Sequence, residues 1–246
     1  MYVSVIMPYY KNRKYVKKSI LSVLNQSFKN LELIIIFDDT NDEDLKFLNS
    51  FKRIDKRIKI IKNEKNIGAG LSRNSGIEVS KGKYVSFLDS DDFWHKNKLK
   101  TQINIMKRKK INITHTSYNI VDVKNKYLSQ RTAHNLRYND LIRSCNIGLS
   151  TVVINKKILN KNMRFPNLKT KEDYVLWLKI AKSGVIFYGI KKNLVNWTNT
   201  PNSLSDSIIQ KIKDSIRVYH HYEKFNLFKS IIKTFILSLN YLKKAK

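Results

Sequence analysis

The feature that most constrains this chain is a regular exchange, over its first ninety or so residues, of short apolar runs with amphipathic segments. Each apolar run ends in polar or acidic residues. Val3–Met7 is stopped by Pro8, and Leu31–Phe37 is almost wholly apolar and ends at Asp38. Ile58, Ile60 and Ile61 mark a third run, and Tyr84–Leu88 a fourth ending at Asp89. Strands this apolar, without alternation, are buried on both faces, as parallel strands are. Between them Asn12 is placed to cap a helix with apolar face Val16, Ile20, Val23 and Leu24, and further helices are read over Asp42–Phe51 and Ser72–Ser80. The expected fold class is α/β, a mostly parallel central sheet flanked by helices.

Beyond a basic helix over Lys98–Lys110 the pattern loosens. Ile113–Val123, Thr151–Ile154 and Val185–Ile190 read as strands, and Tyr174–Ser183 as a helix preceded by Glu172-Asp173. From about Ser207 the chain reads as a C-terminal helical extension. One stripe there is Ile208, Ile212, Ile216 and Tyr219; another is Phe228, Ile231, Phe235 and Leu239.

Ligand sites in such sheets lie beyond the carboxyl ends of the strands. Three polar clusters fall at those ends: Pro8-Tyr9-Tyr10, Asp38 to Asp42, and Asp89-Ser90-Asp91-Asp92. Asp89 and Asp91 flank one residue, so both carboxylates can share a pocket, and hard divalent cations prefer such oxygen ligands. An Asp-rich turn capping the next helix is the alternative, with Asp92 as the start of that helix. Asp38 suits a nucleotide's base or ribose, or else an Asx-turn. In Asn66-Ile67-Gly68-Ala69-Gly70-Leu71-Ser72-Arg73 the glycines permit close backbone approach, and Arg73 could pair with a diphosphate. A dinucleotide fingerprint is excluded: its third glycine is replaced by Arg73, and the segment does not follow the first strand. Glu172-Asp173 could supply a general base, or simply favour a first helical turn.

With 48 Lys+Arg against 19 Asp+Glu the net charge is +29. Nucleic acid, an anionic membrane or a polyanionic substrate would suit it, as would a plain codon bias towards lysine. Acids at the ligand edge argue against a nucleic-acid groove. A single cysteine, Cys145, fits a reducing compartment, and the start lacks the marks of a signal peptide. The five histidines show no zinc spacing, and no P-loop or Gly-x-Ser-x-Gly element occurs.

In order, VSVIMPYYK, SILSVLNQSF, NIGAGLSRNSGI, GKYVSFLDSDDFW and KEDYVLWLKIAKSG resemble the motifs of the inverting glycosyltransferase family 2, which has the GT-A fold. The resemblance runs from Val3 to about Ser205. It implies a nucleotide-sugar-binding half (1–115), an acceptor-binding half of the same domain (116–205) and C-terminal helices (206–246). Pro8, Tyr10, Asp38, Arg73, Asp89 and Ser90 would serve the nucleotide-sugar donor, Asp91 a Mn²⁺ or Mg²⁺ ion, and Asp173 the acceptor hydroxyl as catalytic base. The implied reaction is single-displacement transfer from a nucleoside diphosphate sugar, expected to be UDP-linked, to a saccharide or lipid-linked glycan in surface polysaccharide or lipooligosaccharide synthesis. Two places depart from the family pattern and a third agrees with it. Phe37 stands where its first strand-end aspartate falls, Asn196-Trp197-Thr198 where it often has Tyr-Arg, and Ser203-Leu204-Ser205 fits its Ser-x-Ser ending. A nucleotidyltransferase remains the rival enzyme.

Leu227–Leu242 is apolar but carries Lys229 and Lys233 and is too short to span a bilayer. Its basic amphipathic character allows an in-plane contact with anionic lipid, as does packing on the domain. The expected location is cytoplasmic, with peripheral contact at the inner face of the membrane and no specific nucleic acid as partner.

Overall fold

The computed structural model describes residues 2–201 and 207–245, so the Ser203-Leu204-Ser205 segment lies outside the described residues. In chain order the first half comprises β1 (Val3–Tyr9), α1 (Arg13–Leu24), β2 (Leu31–Phe37), α2 (Asp42–Ile54), β3 (Ile58–Lys62), α3 (Ala69–Val79), β4 (Tyr84–Phe87), β5 (Phe93–Trp94) and α4 (Lys98–Lys109). Then follow β6 (Ile113–Val121), β7 (Tyr127–Arg131), the single turn α5 (Tyr138–Leu141), β8 (Val153–Asn155), α6 (Glu172–Lys182), β9 (Tyr188–Thr198), α7 (Ile208–Arg217) and α8 (Leu227–Ala245).

One sheet holds all nine strands, in the order β3-β2-β1-β4-β8-β6-β9-β5 with β7 on β6. From β3 to β4 the pairing is parallel as expected. The second half is mixed: β8 runs antiparallel to both β4 and β6, and β9 parallel to β6. The apolar runs lack alternation because both faces are covered. Val3, Val5, Met7, Leu33 and Ile35 pack with α1 residues Val16, Ile20 and Val23 and α4 residues Leu99 and Ile103. Ile6, Ile34, Ile36, Val85 and Phe87 pack with Ile77 of α3 and the α6 residues Tyr174 to Leu178.

Several local expectations are corrected. Strand β1 does not stop at Pro8 but continues to Tyr9. Tyr9 O accepts from Asp38 N and Ile6 O from Leu88 N, so the missing donor of Pro8 falls on the β4 side, where pairing ends at Ile6 with Phe87. The Asn12 side chain makes no cap; its amide donates to Ser90 Oγ at 2.7 Å. Helix α3 opens at Ala69, three residues before Ser72. The strand read over Val185–Ile190 is the start of a longer β9, whose Lys191 and Lys192 interrupt the apolar pattern. Thr151–Ile154 divides between a 3₁₀ turn (Leu149–Thr151) and β8.

The C-terminal helices differ most. Ile208 and Ile212 are exposed, and of that stripe only Tyr219 is fully buried. On α8 the whole stripe Phe228, Ile231, Phe235 and Leu239 is exposed, Phe228 by 76%, while Ser230, Thr234 and Leu237 are buried. The periodicity was correctly read, but the apolar arc faces outward.

Inside the sheet, Glu32 of β2 is fully buried. It accepts from Ser4 Oγ at 2.6 Å, Lys59 Nζ at 2.6 Å and Lys81 N at 2.8 Å, tying β1, β3 and the turn before β4 together. Burial works against its charge, but these donors, Lys59 foremost, outweigh it and hold the carboxyl below its usual range. We expect Glu32→Ala to cost about 3 kcal/mol in chemical denaturation, because buried donors lose their acceptor. A depressed folded pKa means the contribution is present at neutral pH and lost as pH falls below about 4.3. Urea midpoints measured from pH 7 to pH 3 should therefore converge for the wild type and the variant.

Candidate active site

The acidic clusters meet where sheet topology requires, beyond the carboxyl ends of β2 and β4. Asp89 leaves β4 and turns its side chain to Arg73 on α3, whose Nη2 donates to Asp89 Oδ1 at 2.7 Å. The other arm of the same guanidinium, Nη1, donates to Glu172 Oε1 at 2.6 Å in the first turn of α6. Arg73 is 4% exposed, and Phe165 lies 5.5 Å away across the guanidinium. Burial opposes its charge, yet Asp89 and Glu172 outweigh that and raise its pKa further. The diphosphate contact expected of Arg73 would need one of these bonds to open. Both arms of its fork are held by carboxylates, and the side chain is enclosed.

Two glycines make this possible. Gly68 takes φ +86°, open to glycine without strain, and its N–H donates to Asp38 Oδ2 at 2.8 Å. A Cβ at Gly70 would lie 3.0 Å from both Glu172 Cγ and Pro166 O, so a larger residue there would require its neighbours to shift by a few tenths of an ångström.

Asp38 sits at the end of β2, 2% exposed. Its carboxylate accepts from Asn63 Nδ2, Ile67 N and Gly68 N, leaving little capacity for a ligand. It braces the loop that leads into α3. Tyr10 is half exposed beyond β1, and Pro8 is part-buried within it. Ser90 is buried and fixed by α1, its Oγ accepting from Asn12 and its carbonyl from Ser19 Oγ.

Asp91 is held from β9 and the residues after it. Thr200 Oγ1 donates to Asp91 Oδ2 at 2.7 Å and Thr198 Oγ1 to its carbonyl at 2.6 Å. Asp92 does not start a helix. It is 1% exposed and accepts from Ser150 Oγ at 2.5 Å and Thr198 N at 2.9 Å, with β5 following it. Sequence reasoning missed Ser150, Thr198 and Thr200; hydroxyls scattered over fifty residues carry no local signal. Burial, then repulsion from Asp89, pushes Asp91 up to about 6. Among the described residues no side chain donates to Asp89 Oδ2 or Asp91 Oδ1, which leaves hard oxygens of a carboxylate pair towards the edge of the sheet. That donor set fits Mg²⁺ or Mn²⁺, whose remaining positions are filled by water and substrate phosphate. No cage of three or more His, Cys, Asp or Glu side chains exists among the described residues.

Asp173, beside Glu172, accepts from Tyr174 N at 2.7 Å and from no other donor among the described residues. Burial, then the Glu172 charge, lifts it to about 7 against the pull of Arg73 and Lys171. A carboxyl so poised takes up a proton near neutral pH.

Residues 4–166 match the family described as Glycosyl transferase family 2. The chain belongs to glycosyltransferase family 2. It is 33% identical over 230 residues to a putative teichuronic acid biosynthesis glycosyltransferase, TuaG, of Bacillus subtilis, covering 93% of this chain and 91% of that one. It is 38% identical over 185 residues to the Escherichia coli UDP-Glc:alpha-D-GlcNAc-diphosphoundecaprenol beta-1,3-glucosyltransferase WfgD, covering 75% and 71%. Among solved structures, S. aureus TarS 1–349 in complex with UDP-GlcNAc aligns with TM-score 0.74 at 22% identity, over 90% of this chain and 65% of that longer one. The mannosyltransferase PcManGT of Pyrobaculum calidifontis, with GDP-Man and Mn²⁺, aligns with TM-score 0.70 at 12% identity, over 95% and 68%. The fold of this glycosyltransferase is therefore GT-A.

If Arg73 is a buried brace, Arg73→Ala should cost about 3–5 kcal/mol in denaturant titration, because Glu172 is left enclosed and unpaired. Unchanged stability with weakened donor binding would return Arg73 to the diphosphate.

Proposed function

We propose that this glycosyltransferase moves a sugar from a UDP-linked donor to a hydroxyl of a lipid-linked glycan, inverting the anomeric carbon, in surface polysaccharide or lipooligosaccharide synthesis. The observation that carries the reading is the single buried guanidinium joining Asp89 to Glu172, which brings the strand-end acids and Asp173 to one edge of the sheet. The solved structure with UDP-GlcNAc and the relative named for a diphosphoundecaprenol-linked acceptor support the donor and acceptor classes.

Asp91, with Asp89 beside it, would hold Mn²⁺ or Mg²⁺, which when bound offsets the charge of the departing nucleoside diphosphate. Tyr10 offers an exposed ring beyond β1 for the nucleotide base. Pro8 keeps that strand end extended, and Asp38 keeps the neighbouring loop in place. Ser90, pinned by Asn12, fixes the backbone between the two metal-side acids. Asp173 accepts the proton of the acceptor hydroxyl as its oxygen bonds to the anomeric carbon. The bond to the diphosphate oxygen breaks on the opposite face, the electron pair leaving with the nucleoside diphosphate. Arg73 touches none of these atoms; it positions Asp89 and Glu172.

Asp173 acts only when deprotonated, and its pKa lies near 7. The rate kcat/KM should therefore level off above that pH and fall about tenfold per unit below it. Asp173→Asn should abolish transfer and the pH dependence while donor binding, followed by calorimetry with Mn²⁺, stays intact. Lost donor binding in that variant would sink the assignment.

Acceptors of this class reside in membranes, and no described helix is long and apolar enough to cross one. The outward arc of α8, flanked by Lys229 and Lys233, suits shallow insertion at the anionic inner face of the cytoplasmic membrane. Co-flotation with vesicles containing phosphatidylglycerol should fall sharply in Phe228→Asp/Phe235→Asp. Equal flotation of this variant and the wild type would remove the membrane reading.

A further inference from the structure

Away from the donor edge, a cleft of about 400 Å³ opens between the segment leading into α6 and helix α7. Asn167, Lys169, Gln210, Lys213 and Arg217 line it. None of the acids or the arginine described above takes part, so this is a separate concavity.

Its charge is unbalanced. The nearby carboxylate, Asp214, is fully buried, and its Oδ2 already accepts from Thr170 N, Thr170 Oγ1 and Gln210 Nε2 at 2.9–3.0 Å. Arg217 Nη1 lies 3.7 Å from Asp214 Oδ1, longer than a charge-assisted hydrogen bond, and the arginine side chain is 65% exposed. Lys169 and Lys213 have no ion-pair partner among the described residues. Among the described residues three cations thus line one concavity against a single acid, Asp214, whose Oδ1 is answered only by Arg217 at 3.7 Å, an arrangement suited to a ligand with more than one negative charge.

The position of the cleft narrows the ligand. Lys169 precedes Asp173 by four residues, so their Cα atoms are at most about 14 Å apart, and the bonds from Thr170 to Asp214 lock α7 to that segment. On α7 the arc next to Lys213 and Arg217 is made of exposed Ile208, Ile209 and Ile212. An anionic head set back from the base by the span of one sugar, with an apolar tail beyond it, would meet all of these features.

We propose that this cleft binds the diphosphate of a lipid-linked acceptor, with Lys169, Lys213 and Arg217 as its ligands. The assignment rests on the reading of a lipid-linked acceptor given above and names where its diphosphate is held.

The test uses two probes in neutral detergent: a hexosyl diphospho-undecyl lipid and the matching neutral undecyl glycoside. In calorimetry the full-length wild type should prefer the diphospho-lipid. Lys213→Ala/Arg217→Ala should lose that preference by about 10- to 100-fold, the worth of one to two charge-assisted contacts. A charge-matched control on α4, Lys100→Ala/Arg108→Ala, should keep it. With donor present, KM for the diphospho-lipid should rise in the cleft variant while kcat and donor KM hold. A wild type without preference, a cleft variant that retains it, or a control that loses it equally would each overturn the proposal. The same holds if the cleft variant loses vesicle flotation but keeps its preference, since the cations then serve bulk lipid. Binding with the expected pattern but no transfer would instead count against Asp173 as base and leave the cleft standing.

Discussion

A guanidinium enclosed by protein is tolerable only when its charge is answered at close range, and the active edge of this glycosyltransferase is arranged around that requirement. Arg73 stands on α3, yet its two partners come from the end of β4 and the start of α6, which lie 16 and 99 residues away in sequence. Satisfying the fork sets the distance between those elements and the direction in which Asp89 and Glu172 point. Lysine could not do this, because its ammonium has no planar fork with which to hold two separate carboxylates. The small size of Gly70 belongs to the same constraint, since a Cβ there would crowd Glu172 Cγ and Pro166 O at 3.0 Å.

The chain is short of acids, and most of those discussed here lie inside or at the ligand edge rather than on the surface. Glu32, Asp38, Asp92 and Asp214 are nearly or fully buried, each answered by hydroxyls, amides or cations. Asp42, Glu43, Glu64, Glu78 and Asp140 are exposed, but lysine outnumbers them on the outer surface. The charge of +29 therefore describes the exterior, while the chemistry belongs to a small acidic interior. Such a separation keeps the lysine field on the exterior, while the cation beside Asp89 is the enclosed Arg73.

Much of the first half was readable from sequence because there the local rules and the tertiary environment agree. Strands β1 to β4 are covered on both faces, so burial leaves an unbroken apolar signature, and their polar ends mark the ligand edge. Agreement failed where partners are distant. Nothing near Asn12 indicates that its amide is needed by Ser90, and nothing near Arg73 names Glu172. In β9, Lys191 and Lys192 obscure a strand defined by its pairing with β6. The stripe on α8 was visible, but periodicity reports that one face is apolar, not what covers it. Asp89, Asp91 and Asp173 stand out by their position at element ends, whereas the hydroxyls that hold Asp91 and Asp92 form no local pattern.

Those hydroxyls bear on how the protein comes into being. Asp92 is anchored by Ser150 and Thr198, and Asp91 by Thr198 and Thr200, from segments 58 to 109 residues further along the chain. The loop after β4 emerges early during synthesis but lacks these anchors until β9 has been made and docked beside β6. Closing loops of that length is slow relative to local structure. The order of the Asp91 and Asp92 loop is thus tied to a late step of folding, since a chain that has made only its parallel half-sheet lacks the hydroxyls that hold it.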